Sequence, residues 1–144
     1  MSRPLVHATE RRTEGRMVSA ADVVFLSYFT GDWTCLHTDA VAARQRVSRE
    51  RSAHGALSLV DSLGPLVRSG VVDPKLFVAL WSIGEVWFHR PVRIDDTRHV
   101  RFVRSEWGQE KNRVEMAFRA TTFNQRDEAV LEFPTVTVEK GSAA

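Results

Sequence analysis

Ala53-His54-Gly55-Ala56-Leu57-Ser58-Leu59-Val60-Asp61-Ser62-Leu63-Gly64-Pro65-Leu66-Val67-Arg68-Ser69-Gly70 is the stretch that decides the fold. Ala53, Leu57, Val60, Leu63 and Val67 fall at three- and four-residue spacing, and Leu59 and Leu66 widen the stripe. That spacing predicts a helix. The stripe is broad and almost uncharged, so the helix is expected to be buried on most sides. Pro65 removes one backbone donor and is expected to kink or end it. Gly70 closes the segment, and Asp73-Pro74 marks a turn.

Beyond Leu76 the apolar period changes to two. Phe77, Ala79 and Trp81 alternate, as do Val86 and Phe88, then Val100 and Phe102, then Val114, Met116 and Phe118. Val130, Leu131 and Phe133 precede Val136 and Val138. Turns are expected at Asp95-Asp96, at Gly108-Gln109 and from Asn124 to Asp127. This predicts about four antiparallel strands. One apolar helix followed by such strands is an α+β pattern, a curved sheet wrapped around a helix.

Upstream, residues 1–16 are polar and charged. They predict a loose arm, over residues 1–15, leading into a short edge strand. Ser19 has the position of an N-cap, with Asp22 three residues on in a box-like arrangement. Phe25, Leu26 and Phe29 follow at helical spacing, and Gly31 ends the run as a C′ residue would. A second short helix is expected from Thr38 or Asp39 through Ala40, Ala42 and Ala43, and residues 46–52 read as a loop.

A length of 144 residues suits one domain, spanning 1–144, with a sizeable core. The formal net charge of +2 is small, and no basic stripe interleaves with aromatics, so nucleic-acid binding is not expected. No apolar run is long enough to span a membrane. The N-terminal segment carries Arg3, Arg11, Arg12 and Arg16 without an apolar core, unlike a secretory signal. The lone Cys35 fits a reducing compartment, so a cytoplasmic location is expected, and the residue reads as a small buried filler. No dinucleotide or Walker loop is present, so no cofactor is expected. His37-x-Asp39, His89 and His99 lack metal-ligand spacing. Ser58, Ser62, His54 and Asp61 include the types of a hydrolytic triad, but no nucleophile elbow surrounds either serine.

Asp32 and His37 lie five positions apart, between two expected helices. Asp32 follows a helix C-terminus, whose partial negative charge should raise its pKa. His37 precedes a helix N-terminus, whose partial positive charge should keep the ring neutral. Such a pair suits general acid–base chemistry near neutrality. Asp after a helix and His before one also occur simply as caps. Gly55 is either a close-packing glycine or a backbone N–H at a helix N-terminus, able to hydrogen-bond an oxygen on which negative charge builds. His54 reads as a hydrogen-bonded structural residue rather than a second base.

The order of these features resembles the MaoC-like (R)-specific enoyl-thioester hydratases and dehydratases of the hot-dog fold. That family has Gly-Asp-x-Asn-Pro-Leu-His, then Ala-His-Gly opening the central helix. Here the corresponding stretches are Gly31-Asp32-Trp33-Thr34-Cys35-Leu36-His37 and Ala53-His54-Gly55. Phe88-His89-Arg90-Pro91-Val92, Asp96-Thr97 and Asn124-Gln125-Arg126-Asp127 look like the family's later strand and turn segments. The resemblance implies that Asp32 and His37 hold a water and move it across the 2,3 double bond of an acyl thioester. It implies that the N–H near Gly55 polarises the thioester carbonyl, with Thr34 and His54 as supporting groups. It further implies a homodimer and coenzyme A or an acyl carrier protein as substrate carrier, with no metal. The family's Asn-Pro is here Thr34-Cys35, which leaves open a catalytically altered subunit with a binding role, or a hot-dog thioesterase.

Overall fold

A computed structural model describes residues 9–110 and 112–141. Helix α1, Ala20–Thr30, starts at Ser19 with a complete capping box. The Asp22 N–H donates to the Ser19 hydroxyl, and the Ser19 N–H donates to the Asp22 carboxylate. Two short helices follow, α2 at Cys35–Thr38 and α3 at Ala40–Arg44, and then the central α4 at Gly55–Arg68. Strands β1 (Arg11–Arg12) and β2 (Arg16–Met17) precede α1. After α4 come β3 (Phe77–Ile83), β4 (Trp87–Phe88), β5 (Thr97–Glu110), β6 (Arg113–Phe123) and β7 (Ala129–Lys140).

The main path of the antiparallel sheet runs β1-β5-β6-β7-β3, with β2 also on β5 and β4 also on β7. The strands bend around one side of α4 in the α+β hot-dog arrangement. Their inner face supplies Val100, Phe102, Phe118, Ala120, Leu131 and Phe133, which pack with Leu66 of α4. Phe102, Phe118 and Phe133 are each at most 2% exposed. Burial on that scale stabilises by about 1.5–3 kcal/mol per side chain.

Several expectations change here. Helix α4 is not buried on most sides: Val60 and Val67 are exposed, and its buried face carries Ser58, Ser62, Pro65 and Leu66. The serines are tolerated because each hydroxyl donates to the carbonyl four residues back, Ser58 to His54 and Ser62 to Ser58. Ser62 also meets the Thr122 hydroxyl of β6 at 2.8 Å. The helix runs through Pro65 to Arg68, and Gly70 follows in the left-handed region at φ 72°. Gly108-Gln109 is no turn. Both residues lie within β5, paired with Glu115 and Val114, just past a bulge that takes up the residue between Glu106 and Gly108. The N-terminal segment is docked from Arg11 onward, with Arg11 opposite Phe102 and Arg12 opposite Arg101. The arm expected over residues 1–15 lies outside the described residues as far as residue 8.

An ionic network fastens α4 to its surroundings. Arg16 of β2 donates to Asp22 of α1 at 2.7 Å and to Asp61 of α4 at 2.6 Å. The buried Arg98 of β5 pairs closely with Asp61 and donates to the Ser58 carbonyl at 3.3 Å. Burial, helped by the nearby Arg16 charge, pushes the Arg98 guanidinium down to about 10, which leaves it cationic at neutral pH.

Candidate active site

Gly31 ends α1 with φ 75°, a left-handed conformation that glycine adopts without strain, and its N–H donates to the Ser27 carbonyl. The chain turns sharply there and presents Asp32. One carboxylate oxygen, Oδ1, accepts from the Thr34 N–H at 3.1 Å and from the Thr34 hydroxyl at 2.6 Å. This is the local turn that Asp side chains favour. The two Thr34 bonds hold the Asp32 carboxyl below the usual carboxylate range, with smaller contributions from His54 and His37. The sequence expectation of a raised value is therefore corrected. Two short hydrogen bonds to the charged form outweigh the diffuse field of a helix end.

The position of His37 is also corrected. It lies inside α2, near its C-terminal end, rather than ahead of a helix N-terminus. The helix-end argument for its ring therefore does not apply. The expected start at Asp39 does hold for α3, where the Asp39 carboxylate accepts from the Val41 and Ala42 N–H groups. His37 Nδ1 lies 2.7 Å from the Ser52 carbonyl. A carbonyl only accepts, so Nδ1 carries the hydrogen and Nε2 is the nitrogen left to act on a ligand.

His54 precedes α4 and is 4% exposed. Its ring stacks on His37 with centroids 3.8 Å apart and planes at 27°. Its Nε2 lies 3.3 Å from the Ser27 hydroxyl, 3.4 Å from the Asp32 carbonyl and 3.8 Å from Asp32 Oδ2. The Asp32 oxygens accept, so the Nε2 hydrogen points to Asp32, while the buried Nδ1 has no partner among the described residues. A carboxylate oxygen of Asp32 and one ring nitrogen each of His37 and His54 all lie within 4.8 Å of one another.

Two imidazoles and a carboxylate are also the donor types of a divalent-cation site. The rings lie stacked in planes 27° apart, so their in-plane lone pairs are confined to nearly parallel planes, which is a poor start for convergence on one ion.

His37 and Gly55 line one cavity of about 290 Å³, together with Leu36, Ser52, Phe88 and Arg90 among others. Gly55 opens α4, so its N–H has no intrahelical acceptor. A Cβ at Gly55 would stand 3.3 Å from the Phe88 ring, so the glycine also permits close packing there. The close-packing reading of Gly55 therefore holds. Asp61 and Ser62 do not join His54 in a triad. Asp61 is engaged by Arg16 and Arg98, and Ser62 donates to Ser58. Sequence reasoning missed Ser27, Ser52 and Phe88 as neighbours of the site. Ser27 and Ser52 carried no local signal, and Phe88 showed only as an alternating strand residue.

Comparison with known proteins agrees with this frame. The chain superposes on the monoamine oxidase regulatory protein of Archaeoglobus fulgidus with a TM-score of 0.87 and 24% identity, covering 94% of this chain and 91% of that one. It superposes on an R-hydratase of Pseudomonas aeruginosa with a TM-score of 0.70 and 24% identity, covering 96% and 84%. It is 30% identical over 89 residues to protein MaoC of Klebsiella aerogenes, a match spanning 62% of this chain and 26% of that protein's length. The family pattern described as "MaoC like domain" matches residues 4–125, from before β1 to the turn after β6. With the Asp32, His37 and Gly55 stretches all inside that match, the chain belongs to the MaoC-like domain family.

Proposed function

We propose that this protein is a hydratase or dehydratase acting on 2-enoyl and 3-hydroxyacyl thioesters. The observation that carries the reading is the grouping of Asp32, His37 and His54 within 4.8 Å, of which His37 lines one cavity with Gly55. Asp32 Oδ2, the oxygen not engaged by Thr34, and His37 Nε2 hold one water. In hydration the water oxygen bonds to C3, one of the pair takes the water's proton, and that same proton is passed on to C2, which returns the pair to its starting state. The product gains one H and one OH, and dehydration reverses both transfers. Such proton transfers contribute about 10²–10⁴-fold each. The Gly55 N–H donates to the thioester oxygen as negative charge develops there. Thr34, which replaces the family asparagine, still orients Asp32 through two bonds. That supports an active site rather than an altered one.

The carrier is coenzyme A or an acyl carrier protein. A homodimer fits the exposed apolar edge strand β3, where Phe77, Val78, Leu80 and Trp81 are all solvent-accessible. Among the described residues no helix is long and apolar enough to cross a membrane.

The test is incubation of the pure protein with crotonyl and longer enoyl thioesters. Loss of enoyl absorbance with the thioester retained is the expected result. Release of free thiol instead would make the protein a thioesterase. No change with any chain length would leave a binding role and overturn the proposal.

A further inference from the structure

The loop between α3 and α4 runs directly to the cavity. From the last residue of α3 it reads Arg44-Gln45-Arg46-Val47-Ser48-Arg49-Glu50-Arg51, four guanidinium groups against one carboxylate. Arg44, Arg46 and Arg49 are exposed and Arg51 is half-buried. Among the described residues, none of these four side chains makes an ion pair or a hydrogen bond. The one carboxylate, Glu50, faces Arg93 at 3.7 Å. The next residue, Ser52, lines the cavity, bridges to Arg93 and accepts from His37. Arg90 lines the same cavity.

The loop is shaped rather than loose. The Arg46 N–H donates to the Ala43 carbonyl and the Arg49 N–H to the Arg46 carbonyl, with Arg49 itself at φ 56°. A non-glycine residue in that region costs about 1–2 kcal/mol, so the packing around it holds the turn. Four cations without an ion-pair partner among the described residues repel one another on one short loop. They create a local positive potential that draws in an anionic partner. Arg51 is four residues from Gly55, at most about 14 Å along the chain. The positive surface therefore borders the site where the acyl group would react.

We propose that the Arg44–Arg51 loop is the docking surface for an acidic carrier protein that presents its acyl thioester to this cavity. The proposal rests on the hydratase reading only in taking the delivered group to be a thioester. Two features favour a protein over the phosphates of a nucleotide. The cations are spaced over eight residues, and three of the four are exposed, which suits a broad surface more than the single point that bidentate phosphate recognition requires. Val47 stands fully exposed between Arg46 and Arg49 and offers an apolar contact that phosphates would not use.

Binding of a fluorescently labelled, acidic holo acyl carrier protein to the full chain tests this without needing turnover. Anisotropy should show binding at low salt that weakens at least tenfold at about 0.3 M salt, where screening is strong. The Arg46→Glu/Arg49→Glu double variant should lose binding, and Arg119→Glu, on the exposed surface of β6, should keep it. In turnover, the double variant should lower kcat/KM at least tenfold for the carrier-bound enoyl group. It should leave the same group on N-acetylcysteamine unchanged. Carrier binding unaffected by the double variant would overturn the proposal. So would a loss confined to coenzyme A thioesters, which would assign the loop to nucleotide phosphates. Loop-dependent carrier binding without turnover of any enoyl thioester would uphold the docking surface while overturning the hydratase reading.

Discussion

Two polar clusters touch α4, and they are built on opposite terms. Along the helix, Arg16, Asp22, Asp61 and Arg98 meet at short ion-pair distances, cation against anion, with two arginines and two aspartates in balance. At its N-terminus, Asp32, His37 and His54 stand farther apart, at up to 4.8 Å, beside open space and with a buried nitrogen left unpartnered. The first cluster satisfies its own charges and has no capacity for a ligand. The second leaves a buried ring nitrogen, His54 Nδ1, without a partner among the described residues. Closed accounts of charge mark a structural network, and an open one marks a site.

If that contrast is right, substitutions in the two clusters should separate activity from stability. The largest expected effect is on turnover. His37→Ala and Asp32→Asn should each lower kcat by about 10²–10⁴-fold with little change in melting temperature. The double variant should lose little more, because the two act on one water. Steady-state assays beside thermal melts decide this, and full activity in folded His37→Ala would break the comparison.

The reverse pattern is expected at Asp61. Asp61→Ala strands the buried Arg98 without its counter-ion and should cost about 3–5 kcal/mol of stability, read from denaturant unfolding. Activity per folded molecule should stay close to that of the unaltered protein. A smaller effect sharpens the role of Thr34. Thr34→Val removes the 2.6 Å bond to Asp32, so the Asp32 carboxyl should rise toward its ordinary value. The acid limb of the kcat/KM profile should then move to higher pH. The sign is that of a depressed carboxylate: the Thr34 contribution to stability is full above the unfolded pKa and fades as pH falls through the folded one. The smallest expected change is Ser19→Ala, which removes the α1 cap far from the cavity. It should cost about 1 kcal/mol of stability and leave the pH profile untouched.

What the sequence made legible was chemistry carried within a few residues. The Ser19 cap, the Gly31 stop, the Asp39 cap and the turn at Asn124–Asp127 each depend on a side chain meeting its own neighbouring backbone. The period-two runs likewise located the strands. Helix α2 escaped because four residues carry no periodicity and Thr34 makes no side-chain cap. The buried face of α4 was misjudged because counting apolar residues ignores serines that bond the preceding turn. Asp32, His37, Gly55 and His54 could be named from spacing and resemblance. Their partners Ser27 and Ser52 could not, because the contacts join residues 15 to 27 positions apart.

The strand order carries a consequence for how the molecule opens. Strands β5, β6 and β7 are joined by short turns and pair with their sequence neighbours, whereas β3 reaches β7 from some 55 residues away, with Ser82 opposite Val136. Closing that loop is entropically costlier, and β3 lies at the edge of the main path with both of its ladder shifts toward one partner alone. The meander is therefore expected to be the slow-exchanging heart of the protein, with the amide hydrogens of β3 trading with solvent sooner than those of β5, β6 and β7. A second copy seated along β3 would slow that exchange selectively, so deuterium uptake at Phe77–Ile83 becomes a concentration-dependent gauge of assembly.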